Sequence, residues 1–127
     1  MRLHAVTVVV DDYDRAIEYY VGVLGFTLRE ETVLSEDKRW VLVSPDRVSG
    51  ACLLLAVPST DEQRLSIGNQ TGGRVGFFMH TDDFDADYSR LVAAGVRMTE
   101  TPRSEPYGKV VVFADLYGNL WDLIEPR

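Results

Sequence analysis

The chain has 127 residues, 46% apolar and 26% charged, a one-domain length with enough hydrophobic sequence for a real core, which excludes a disordered chain. A net charge of −7, with no Lys/Arg cluster interleaved with aromatics, excludes binding to nucleic acid or to anionic lipid. No apolar run approaches the roughly 20 residues of a membrane span, charged Asp11-Asp12 arrives too early for a signal peptide, and a single cysteine, Cys52, fits a reducing compartment, so cytoplasm is the expected location.

In chain order, the β-rich run Val8-Val9-Val10 ends in Asp11-Asp12, residues suited to capping a helix. Tyr13, Ala16, Ile17, Tyr20 and Leu24 then recur at the spacing of one helix face, and Gly25 supplies the left-handed stop. Strands are predicted over Phe26–Glu31, Arg39–Val43 and Ala51–Val57, closed by Pro58. From Ser59 to Gly73 runs a link with a capping-box pattern at Thr60…Gln63 and a Gln70-Thr71-Gly72-Gly73 turn. The first layout then returns. Met79-His80-Thr81-Asp82-Asp83-Phe84-Asp85 repeats Val8 to Asp14 at an offset of 71 residues. Phe84, Tyr88, Leu91, Val92 and Gly95 mark the second helix, and strands follow at Val96–Thr99, Lys109–Ala114 and Leu120–Glu125, closed by Pro126.

Each half therefore reads βαβββ, and the fold class is α+β: unit one over residues 1–58, a linker over 59–73 and unit two over 74–127. Each helix covers one face of its sheet. Two such units, curled side by side, are expected to enclose a mostly apolar small-molecule cavity.

Asp12-Tyr13-Asp14-Arg15-Ala16…Tyr19-Tyr20…Leu24-Gly25-Phe26 resembles the first unit of the vicinal oxygen chelate (VOC) superfamily, which includes glyoxalase I, bleomycin-resistance proteins and extradiol dioxygenases. Asp82-Asp83-Phe84…Gly95-Val96 and Phe113-Ala114-Asp115…Gly118-Asn119…Asp122-Leu123 resemble the second unit. One departure lies in the last turn, where Leu116-Tyr117 replaces the common Pro-Asp. The resemblance implies the glyoxalase/bleomycin resistance/dioxygenase fold, a homodimer, and a divalent metal held by four His or Glu side chains. Counted onto this sequence, those four positions are Ala5, Leu54, Gly76 and Asp122. One ligand of four survives, whereas catalytic metal sites use about three protein ligands. No cofactor and no metal are therefore expected.

Strand alternation assigns the cavity-facing side chains. If Gly76 points inward, so do Arg74, Phe78 and His80; with Asp122 go Leu120 and Ile124. Unit one contributes Ala5, Thr7, Val9, Cys52, Leu54 and Ala56, and Trp40 and Tyr107 lie near the expected mouth. Thr7, Arg74, His80 and Asp122 are the polar points of an otherwise apolar wall. Arg74 needs a partner if buried, either Asp122 or a ligand carboxylate or phosphate. Three readings follow. A binding protein would hold a small ligand without turnover. A metal-free lyase- or isomerase-like enzyme would move protons with Asp122 or His80 and stabilise negative charge with Arg74. A metal-dependent lyase or dioxygenase would use an unusual set such as His4, His80 and Asp122.

Overall fold

Strand β1 (Ala5–Val9) leads into helix α1, which is α-helical over Tyr13–Ile17 and widens to π-helical over Glu18–Val23. The computed structural model describes residues 1–127, and these divide into two units, Met1–Gly68 and Asn69–Arg127. Unit one continues with β2 (Thr27–Val33), β3 (Arg39–Ser44), β4 (Cys52–Ala56) and the short helix α2 (Asp61–Leu65). Its sheet runs β1-β4-β3-β2, with β1 parallel to β4 and the other neighbours antiparallel. Unit two contains β5 (Val75–His80), α3 (Phe84–Ala93), β6 (Arg97–Met98), β7 (Arg103–Glu105), β8 (Gly108–Ala114) and β9 (Leu120–Pro126). Its order, β5-β9-β8-β6, is the same arrangement, with β5 parallel to β9 and β7 as an added partner of β8. The repeat extends to residue pairs. Thr7 pairs with Leu54 in unit one as Phe78 pairs with Asp122 in unit two.

Strand β7 is the element that sequence reading did not anticipate. The expected strand Val96–Thr99 is only Arg97–Met98, after which Pro102 breaks the ladder and Arg103–Glu105 resumes it. Proline lacks the N–H that a ladder needs, so such interruptions belong on sheet edges.

In each unit one sheet face packs on a helix. In unit one Val8, Val41, Val43 and Leu55 are fully buried, with Tyr13, Ala16, Tyr20 and Leu24 supplied by α1. In unit two Trp121 stacks between Phe77 (4.4 Å) and Phe113 (5.9 Å), while Phe84 and Leu91 of α3 are buried. Fully burying a side chain of this size contributes about 1.5–3 kcal/mol. Val92 departs from the predicted face and is exposed. It sits about 80° around the helix from Phe84, whereas Leu91 returns to within about 20°.

The helix termini also separate expectation from outcome. Asp83 Oδ1 accepts from the Ala86 N–H (3.2 Å), a true cap, but Asp12 makes no side-chain cap bond. Asp11 instead pairs with Arg15. Gly25 and Gly95 end both helices at φ of 82° and 86°, as the sequence requires. An Asp83→Ala change should therefore cost about 1 kcal/mol in urea unfolding, and Asp12→Ala a few tenths at most. Equal losses would contradict the assignment of the cap.

Candidate functional site

Alternation places the odd-numbered residues of β9 against α3 and the even-numbered ones on the other face. Three rows of paired residues cross that second face in unit two. The first holds Leu120 and Ala114, the second Phe78, Asp122 and Val112, and the third His80, Ile124, Val110 and Arg103. Asp122 thus sits in the middle of an apolar patch, on a central strand. It is 8% exposed, and its Oδ1 is buried with no hydrogen-bond partner. Phe78 beside it is 63% exposed, an aromatic surface that nothing in the sheet covers.

Burial pushes the Asp122 carboxyl above the ordinary aspartate range; the Arg103 charge acts the other way, and Glu100 adds to the rise. Arg103 is itself held by carboxylates. Its Nε donates to Glu100 (2.8 Å), and its Nη1 donates to Glu105 (2.9 Å) and to the Tyr107 hydroxyl (3.4 Å). These bonds raise the pKa of the guanidinium and keep it charged. Arg103 therefore offsets the cost of the buried acid from two strands away, across β8, without bonding to it.

The arginine singled out from sequence takes no part in this. Arg74 is exposed, and it makes no ion pair with Asp122. Its carbonyl accepts from the Thr71 hydroxyl (2.5 Å) in the turn before β5. The cause is a bulge. Val75 pairs with Leu120 and Phe77 with Trp121, so Gly76 is an extra residue and alternation before it is reversed. Val75 therefore joins the Asp122 side, in place of the expected Arg74. A Cβ on Gly76 would meet Thr71 Cγ2 at 2.8 Å, so that side chain would have to shift to admit one.

In unit one the corresponding face brings together Thr7, Leu54 and Leu42 in one row, with Ala5 and Cys52 in the row before and Val9 and Ala56 in the row after. Trp40 shares the alternation of Leu42 and so lies on this face, half-buried. Glu30 pairs with Leu42 and adds a carboxylate that the sequence reading did not place there, because a bulge at Arg29 resets the register of β2. Tyr107 lies in the turn between β7 and β8, 52% exposed and bonded to Arg103. His80 closes β5 and is exposed, and His4 precedes β1 with its carbonyl accepting from the Cys52 N–H (2.8 Å).

The donor set does not fit a divalent metal. The paired rows confirm that Leu54 and Asp122 are equivalent positions, but Ala5, Leu54 and Gly76 offer no ligand atom. No group of three or more His, Cys, Asp or Glu side chains is arranged to hold a metal ion. One carboxylate on an apolar sheet is a hydrogen-bonding point rather than a metal cage.

Residues 2–123 match the family described as the Glyoxalase/Bleomycin resistance protein/Dioxygenase superfamily. An uncharacterized protein of Shewanella frigidimarina (strain NCIMB 400) is 52% identical over 121 residues, covering 94% of this chain and 90% of its own. The crystal structure of UcmS2 is 31% identical with a TM-score of 0.84 and covers 98% of each chain. TnmS3, an antibiotic binding protein from Streptomyces sp. CB03234, is 28% identical with a TM-score of 0.80, covering 100% of this chain and 97% of its own. With that match over nearly its whole length, and with two βαβββ-like units of mixed sheet, the chain belongs to the glyoxalase/bleomycin resistance/dioxygenase (VOC) superfamily.

Proposed function

We propose that this protein binds a small, apolar or aromatic molecule bearing a hydroxyl group on the Asp122 face of unit two, without a metal ion or other cofactor. The observation that carries the reading is the buried Asp122 oxygen with no partner. Burying an unpaired polar atom costs about 1–3 kcal/mol, and a ligand that supplies the missing hydrogen bond recovers it. The neighbouring side chains favour an aromatic body: Phe78 presents an open ring, and Val112 and Ile124 are apolar. That TnmS3 is an antibiotic binding protein supports a small-molecule ligand.

A naphthalene pair tests this directly. In EDTA-containing buffer, 2-naphthol should bind about tenfold or more tightly than 2-methylnaphthalene, which has the same shape and no hydroxyl. Calorimetry or fluorescence quenching reads the difference. Equal affinities would mean that the carboxyl contributes nothing to recognition.

The raised pKa of Asp122 favours a second reading, a metal-free acid–base enzyme in which the same carboxyl moves a proton. In that case Asp122→Asn would stop turnover of a bound substrate while leaving most of its affinity. In the binding reading there is no turnover to stop.

A further inference from the structure

Unit one contains a cavity of about 290 Å³ that shares no residue with the Asp122 face; Arg2, His4 and Arg29 line it together with Leu3, Val48 and Ala51. In a chain of net charge −7 this is a local reversal of sign: two arginines and no carboxylate in the lining. The reversal is built into the backbone. Arg29 is the extra residue of a β-bulge, since Leu28 pairs with Val43 and Glu30 with Leu42. Bulges re-aim a side chain out of the sheet alternation. Here the guanidinium reaches the 46–50 loop, where Nη1 donates to Ser49 O (3.1 Å) and Asp46 O (3.5 Å). Its Nε and Nη2 make no hydrogen bond within the protein, so one edge of the fork remains open.

The loop that forms the opposite wall is held before any ligand arrives. Asp46 Oδ1 accepts from the N–H groups of Val48 and Ser49 (both 2.9 Å), which pull its pKa down. The buried Ser44 hydroxyl accepts from the Asp46 N–H (3.2 Å) and donates to Ala51 O (3.3 Å). Gly50 completes the turn at φ 77°. The Asp46 carboxylate is thereby engaged mainly by its own loop; the Arg29 charge also lowers its pKa, as a smaller effect. On the other side, the Cys52 N–H to His4 O bond fixes the N-terminal segment against β4.

We propose that this cavity is a binding site for a small organic carboxylate. The open edge of Arg29 takes the carboxylate in a charge-assisted fork, Arg2 adds to the positive field, and Leu3, Val48 and Ala51 cover an apolar body. Its residues are separate from Asp122, so failure of one site leaves the other standing.

The test is a ¹⁵N–¹H NMR titration at 0.15 M salt with benzoate, acetate and inorganic phosphate. Benzoate should give saturable shifts at the amides of residues 2–4 and 48–51 and bind at least about tenfold more tightly than acetate, because the ring is buried. Arg29→Gln should weaken benzoate by about tenfold or more. Because Arg29 also holds the loop, Arg2→Gln serves as the second variant. Arg2 is exposed and bonds to nothing in the fold, so a severalfold loss there reports on the anion alone. Benzoate binding no better than acetate, or unchanged in both variants, overturns the site. Phosphate binding more tightly than benzoate overturns its assignment to carboxylates.

Discussion

Gly108→Ala is expected to lower the unfolding free energy by about 3 kcal/mol, the upper end of what forced overpacking costs. Gly108 opens β8 and pairs with Pro126 of β9 on one side and Glu105 of β7 on the other. A Cβ there would lie 2.3 Å from Glu125 O and 3.1 Å from Pro126 Cα, both backbone atoms that no rotamer change can move. The strand would have to shift as a whole. Glu125 is a poor place for a shift, because its Oε1 accepts from the Phe84 N–H (2.8 Å) at the start of α3. The damage should therefore spread from the sheet edge to the helix. Gly22→Ala is the control: that position has no atom within 4 Å of a built Cβ, and its φ is not positive, so stability should stay level or rise slightly. Urea midpoints that move equally for the two variants would refute the steric account.

Changes at Asp122 should move stability and binding in opposite directions. Asp122→Asn keeps the volume and removes the charge, so the unfolding free energy at neutral pH should rise by about 1–3 kcal/mol. The effect should depend on pH with a definite sign. The folded carboxyl has a pKa above its ordinary value of 3.8, so the folded state keeps its proton longer than the unfolded chain does. Stability from this group is full in acid below the unfolded pKa, and it is lost as pH rises through the folded one. The gap between variant and wild type should accordingly be small near about pH 3 and open towards neutrality. Asp122→Leu, which cannot accept a hydrogen bond, should weaken 2-naphthol by about tenfold to a hundredfold. A gain in stability together with a loss of affinity is the signature of a group kept for its ligand.

Much of this was legible in the sequence because it depends on local pattern. The glycines at 25 and 95, the spacing of Tyr13 to Leu24 and the runs closed by Pro58 and Pro126 fix helices, stops and strands by short-range rules. That Asp122 and Phe78 share a face was legible from alternation, since β9 is regular there; their direct pairing was not. What alternation missed has one cause. The bulges at Gly76 and Arg29 each add a residue and invert the faces beyond them, which removes Arg74 from the Asp122 face and brings Glu30 onto that of Leu42. No residue type announces a bulge at Arg29. Arg103 was hidden differently, in a segment bracketed by Pro102 and Pro106 that reads as a loop.

The central claim is that Asp122 serves a small-molecule ligand and not a metal. Its side-chain carboxyl carbon, followed by ¹³C NMR, tests this most directly when 2-naphthol is added in EDTA and Zn²⁺ is added to a separate, chelator-free sample. The account predicts a saturable shift of the Asp122 resonance with 2-naphthol and none specific to Zn²⁺. A resonance indifferent to 2-naphthol that shifts with one equivalent of Zn²⁺ would contradict it, and would return the protein to the metal-dependent chemistry of its superfamily.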